Sequence, residues 1–183
     1  MKVKSFDIEG LKLFSPKIFG DERGYFYESF NQADYDEHIG YEIFVQDNVS
    51  KSKRGVLRGM HFQTQNPQGK LVRVMSGSVY DVAVDLREGS STFGQWEGVV
   101  LSDRNKDIFW IPPGFAHGFV VMSEEVIFEY KCTQFYHPAS EVSLAWDDPD
   151  VGIDWGFDLM GKNFKVTLSD KDANAKSLKE IFG

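Results

Sequence analysis

Leu71-Val72-Arg73-Val74-Met75-Ser76-Gly77-Ser78-Val79-Tyr80-Asp81-Val82-Ala83-Val84-Asp85-Leu86 is the stretch that decides the fold. Two runs rich in valine flank the turn residues Ser76-Gly77-Ser78, and apolar and polar residues alternate from Lys70 to Arg87. A period of two with β-branched residues on both sides of a tight turn is the signature of antiparallel strands. Working outward, the same pattern predicts strands over Phe6–Phe14, closed by Pro16, and over Tyr25–Phe30 after the turn Asp21-Glu22-Arg23-Gly24. It continues through Phe44–Ser50, Phe93–Leu101, Ile108–Ile111, Phe119–Met122 and Val126–Thr133. Asn31 is suited to cap a short polar helix over 33–38 that Gly40 stops, and a last helix is expected over 172–181. Short strands at near-regular spacing with Gly, Pro and Ser between them indicate an all-β jelly roll, a β-sandwich or barrel with short peripheral helices.

No linker, repeat or low-complexity tract divides the 183 residues, so a single domain spanning 1–183 is expected. Aromatic residues make up 15% of the chain, which suits sheet interiors and stacking against a planar ligand. The formal net charge of −8 argues against a general nucleic-acid binder. An anionic small molecule remains compatible with local clusters of Arg23, Arg58, Lys70, Arg73 and Lys171. Cys132 is the only cysteine and excludes an internal disulfide, which points to a reducing, cytoplasmic setting. Met1–Phe6 lacks the apolar core of a signal peptide, and no apolar run reaches membrane-spanning length. Sheet proteins of this kind commonly pair through edges or faces, so a homodimer is expected.

Two histidines lie in strand-like segments, His61 in Leu57-Arg58-Gly59-Met60-His61-Phe62-Gln63 and His117 in Phe115-Ala116-His117-Gly118-Phe119. Metal-binding cupins place two histidines one residue apart on a strand, with a carboxylate a few residues on. Here Gln63 stands where the second histidine would be, and Lys70 offers a cation where an anionic ligand would help. No metal or other cofactor is expected. His61 then reads as a proton-transfer base, Lys70 as a fixed cation for an enolate oxygen, and Tyr130 as a proton donor from another side. Together they describe proton abstraction next to a carbonyl. Each also has a structural reading. His61 also suits a hydrogen-bonded sheet histidine, Tyr130 an aromatic layer, Lys70 a solvated turn and Asp172 a helix cap.

At these residues the chain resembles the dTDP-4-dehydrorhamnose 3,5-epimerase family. The resemblance rests on ordered blocks: 16–24, Val45-Gln46-Asp47-Asn48, 56–63, Gly69-Lys70-Leu71-Val72-Arg73, Phe93-Gly94-Gln95-Trp96, 111–119, Trp146-Asp147-Asp148-Pro149 and 168–172. It implies His61 as general base, Asp172 as the carboxylate that orients it, Tyr130 as the acid on the opposite face and Lys70 as the enolate clamp. It also implies substrate contacts from Arg23, Glu28, Gln46, Asn48, Arg58, His117, Glu141 and Lys171, with Tyr136 stacking on thymine. The expected substrate is dTDP-4-dehydro-6-deoxyglucose, inverted at C3 and C5. Relatives that invert C3 alone share much of the constellation, and a non-catalytic sugar-nucleotide-binding cupin is the reading from another class.

Overall fold

The computed structural model describes residues 1–183, the side chain of Leu159 excepted. Along the chain run β1 (Lys2–Ser5), β2 (Lys12–Ser15), β3 (Ile18–Asp21), β4 (Gly24–Tyr27), helix α1 (Gln32–Ile39) and β5 (Gln46–Lys53). The central part holds β6 (Leu57–Gln63), β7 (Lys70–Ser76), β8 (Ser78–Asp85), β9 (Trp96–Ser102) and β10 (Ile108–Ile111). Then come β11 (Phe115–Val121), β12 (Glu125–Cys132), β13 (Glu141–Ser143) and the short helices α2 (Asp170–Ala173) and α3 (Leu178–Phe182).

Two antiparallel sheets face each other, one ordered β1-β2-β10-β7-β12-β5 and the other β13-β6-β11-β8-β9. The strand β7 and its successor β8 therefore lie in different sheets, and the turn at Gly77 carries the chain between layers. This is the β-sandwich expected from the alternation at 71–86. Val72, Val74, Phe109 and Phe128 from the first sheet meet Val79, Ala83, Leu101, Phe119 and Val121 from the second in one buried cluster. The rings of Phe119 and Phe128 stack at 4.2 Å across that layer. A second apolar cluster on the outer face of the five-stranded sheet (Leu57, Met60, Val82, Val84) is covered by Val151, Trp155 and Met160. Among the described residues no helix is long and apolar enough to cross a membrane.

The helix capped by Asn31 forms as expected, with Asn31 Oδ1 accepting from Ala33 N and Gly40 following its last turn. Two terminal expectations need correction. Of the strand expected over 6–14 only the end is strand, the start of β2; β1 precedes it, and 6–11 form the turn that joins the two, with Gly10 at a φ of +98° where an added Cβ would lie 2.8 Å from Pro112. Ile8 and Leu11 enter the core from that turn, which explains why the stretch alternates without being one strand. The helix expected over 172–181 is interrupted. Residues between α2 and α3 run extended so that Lys176 bridges Leu144, and Ala145 N donates to Lys176 O at 2.7 Å. Each short helix has its own cap: Ser169 for α2, and Ser177 with Glu180 for α3.

Candidate active site

The inter-sheet layer changes character toward β5, β6 and β13, where inward positions become polar. On β6 the change depends on an irregularity. Leu57, Met60 and Phe62 all join the outer apolar cluster, so Gly59 acts as an extra residue that resets the alternation. Arg58, His61 and Gln63 thereby take the opposite face, and Arg58 Nε reaches across to Ser52 Oγ on β5 at 3.0 Å. The register between β6 and β11 shifts at the same place, leaving His61 and His117 as direct cross-strand partners. Glycine is required on both strands here. A Cβ on Gly59 would lie 2.5 Å from Gly118 Cα, and one on Gly118 would lie 2.6 Å from Met60 Sδ.

His61 is about one-quarter exposed at its side chain, and its Nε2 lies 2.6 Å from Asp172 Oδ1. Asp172 is buried. It arrives on α2, where Ser169 Oγ caps the helix and also donates to Asp172 Oδ2 at 2.8 Å. Burial would push this carboxyl up, but the bonds from His61 and Ser169 hold it below its ordinary value. With the carboxylate anionic, His61 Nε2–H donates to Asp172, which leaves the Nδ1 lone pair free to accept a proton.

The six-stranded sheet supplies the facing groups. Tyr130 on β12 packs beside Phe128 and against the inter-sheet cluster, and burial pushes its phenol up to about 12. A phenol of that kind stays protonated at neutral pH and is a donor. Lys70, buried on β7, sits beside Cys132 in register, and burial lowers its pKa. The carboxylates of Glu141 and Asp81 oppose that shift, and a cation in this place can meet a developing oxyanion.

A hydrogen-bonded chain borders this space. Lys171 Nζ and Tyr136 Oη both donate to Glu141 Oε2, at 2.5 and 2.8 Å. Tyr136 N donates to Gln46 Oε1 at 2.9 Å, Gln46 Nε2 to Asn48 Oδ1 at 3.0 Å, and Asn48 Nδ2 contacts Cys132 Sγ. Burial would raise the Glu141 carboxyl, yet Lys171 and Tyr136 hold it low. Tyr136 is half exposed, with its ring free for a planar ligand. His61, Lys70, Tyr130, Asp172, Gln46, Asn48, Arg58, His117, Tyr136, Glu141 and Lys171 thus share one region. Arg23 and Glu28 do not. Arg23 pairs with Asp21 within the exposed β3–β4 hairpin, and Glu28 accepts from Asn31.

Two participants escape a reading of the sequence. Asp81, fully buried on β8, accepts from His117 Nε2 at 2.9 and 3.1 Å. Its signal is a carboxylate on the Val79–Ala83 face, where the alternation calls for an apolar residue. The signal for Ser169 is its place as the first residue of a Ser-x-x-Asp capping pattern.

The family model described as dTDP-4-dehydrorhamnose 3,5-epimerase matches residues 5–180. The dTDP-4-dehydrorhamnose 3,5-epimerase of Methanothermobacter thermautotrophicus is 53% identical over 174 residues, 94% of this chain and 92% of that protein. The Salmonella typhimurium protein of the same name is 54% identical over 173 residues, covering 93% and 92%. The solved dTDP-6-deoxy-D-glucose-3,5-epimerase of Legionella pneumophila, in complex with dTDP-4-keto-L-rhamnose, superposes with a TM-score of 0.93 at 55% identity. That match covers 98% of this chain and 94% of the other. By whole-length sequence and by fold, this chain belongs to the dTDP-4-dehydrorhamnose 3,5-epimerase family.

Proposed function

We propose that this protein inverts dTDP-4-dehydro-6-deoxy-D-glucose at C3 and C5 to give dTDP-4-dehydro-L-rhamnose. The observation that carries the reading is the 2.6 Å contact of His61 Nε2 with Asp172, set on the sheet that faces Tyr130 and Lys70. The C4 ketone acidifies the hydrogens on its two neighbouring carbons. His61 Nδ1 takes one of them, the carbon–hydrogen electron pair moves into the ring, and negative charge collects on the C4 oxygen. Lys70 stabilises that oxyanion in a site where water does not screen it. Tyr130 returns a proton to the other face of the carbon, which inverts it. Two groups are needed because one residue cannot remove and deliver a proton on opposite faces of the same carbon. Arg58, Gln46, Asn48, Glu141, Lys171 and the ring of Tyr136 hold the nucleotide part; His117, expected among them, is buried in its bond to Asp81.

Arg23 and Glu28 enter the same reading through a two-fold dimer. Their hairpin exposes Phe19, Tyr25 and Phe26, an apolar surface that a second copy would cover while bringing the pair to its partner's site. A solution mass of one chain only would remove both residues from the substrate contacts.

Turnover in deuterated water tests the reaction. Label is expected at both C3 and C5 of the product, read by proton NMR. Label at C3 alone would reduce the protein to a single-centre epimerase, and binding without any exchange would make it a sugar-nucleotide-binding protein.

A further inference from the structure

Gln63 stands two residues beyond His61 on β6, on the same side of the sheet, and the reaction as drawn gives it nothing to do. Its side chain is buried, and its amide bonds only to the backbone of two loops beyond the strand. Nε2 donates to Asn66 O at 2.8 Å and to Phe135 O at 3.4 Å, and Oε1 accepts from His137 N at 3.0 Å. Phe135 and His137 flank Tyr136, so one amide grips the chain on both sides of the residue whose ring is free for a planar ligand. The fit is specific to an amide. Both Nε2 protons meet carbonyls and Oε1 meets an N–H, a pattern that a carboxylate or an imidazole would break. Asn66 offers its carbonyl from a left-handed backbone, with φ at +52°. The two loops are fastened to each other as well, since Thr64 N donates to Ser140 O and Ser140 Oγ to Gln65 O, both at 3.0 Å. We propose that Gln63 is a positioning residue, a clamp that fixes the ring of Tyr136 against the nucleotide.

The inference rests on the proposed contact of Tyr136 with the nucleotide and adds what sets that ring in place. Two other bonds hold Tyr136: its N–H donates to Gln46 Oε1 and its Oη to Glu141 Oε2. Glu141 lies directly across from Gln63 in the register of β6 with β13. A change at Gln63 leaves both of those anchors, so the segment stays attached while the backbone on either side of the ring is released. The strand position where a metal-binding cupin carries its second histidine is here committed to a loop. An aromatic ring that stacks on the nucleotide touches no reacting carbon, and its contact is the same before and during proton transfer. Loosening it therefore weakens binding of the ground state and of the transition state alike. His61 keeps its bond to Asp172 throughout. Nucleotide affinity should depend on Gln63, and the chemical step should not.

The test is a cycle of Gln63→Met, Tyr136→Ala and the double variant, all as the full chain, with dTDP as the binding probe. Methionine keeps the length of the side chain and removes all of its hydrogen bonds. In Gln63→Met the Kd of dTDP by calorimetry and the KM of the sugar nucleotide should both rise about tenfold, with kcat within about threefold of wild type. In the Tyr136→Ala background the same change should alter the Kd by less than about twofold, because the ring it serves is gone. Thermal melts should fall equally in both backgrounds, since the loop bonds are lost in each. Gln63→Glu is a second variant that keeps the shape and the bond from His137 N but loses both donated bonds, and it should show the same dependence on Tyr136. An undiminished effect of either Gln63 variant on dTDP without the Tyr136 ring, or a fall in kcat at unchanged KM, overturns the inference. A wild type that binds dTDP but exchanges no deuterium would instead sink the proposed function, and the binding cycle would still decide the role of Gln63.

Discussion

His61 and His117 are cross-strand neighbours on one sheet, each bonded through Nε2 to a carboxylate, yet they sit in opposite circumstances. The carboxylate of His61 comes from a one-turn helix far along the chain, and the ring keeps an open side. The carboxylate of His117 comes from the next strand, and the whole pair is sealed in the sheet, where burial lowers the pKa of the imidazole. The same two residue types therefore make two different devices. An accessible imidazole with an external carboxylate can exchange protons with a ligand. A sealed pair is a fixed dipole, and its energy goes into the fold.

The largest effect should follow from the open pair. His61→Ala is expected to lower kcat by about 10³-fold or more, with a smaller loss of stability than in the sealed pair because Ser169 still donates to Asp172. Steady-state kinetics beside a thermal melt checks this, and a comparable loss of stability would erase the distinction between the two pairs. The sealed pair should behave in reverse. His117→Phe strands Asp81 without its partner and should cost about 3 kcal/mol in urea unfolding. A loss near zero would mean that the fold does not depend on the His117–Asp81 bond.

Asp172→Asn probes what the external carboxylate adds. An expected loss of about 10²-fold in kcat follows from the wrong tautomer at His61. Wild-type activity in this variant would show that the 2.6 Å contact is only a structural tether. The smallest effect is a pH-dependent one. The folded-state pKa of Asp172 lies below its ordinary value, so its ionised form adds stability above about pH 4, and acidification through the lower folded pKa removes it. The stability gap between the wild type and Asp172→Asn should therefore be full at neutral pH and close in acid.

The contrast also shows what a sequence can and cannot disclose. The strand bearing His61 is read correctly at both ends, because Leu57–Gln63 is bounded by turn residues and rich in apolar side chains. The irregularity at Gly59 that aims His61 inward coincides with a register shift against β11, which local periodicity does not report. The partnership with Asp172 spans 111 positions, and no spacing rule reaches that far; the family resemblance supplied it. The interrupted C-terminal helix was misread for a related reason. Its residues suit a helix, but the bridge from Lys176 to Leu144 demands an extended chain, and tertiary pairing overrides propensity there. Asp81 was on view throughout, concealed by the regularity of the valines around it.

The route by which Asp172 reaches its histidine sets an order of events during synthesis. A ribosome emits His61 well ahead of α2, so the two facing sheets can close around an imidazole that still lacks its anion. Catalytic power would then be switched on last, when the strand-like run through Val56 and Thr167 lays the downstream segment against the finished sandwich.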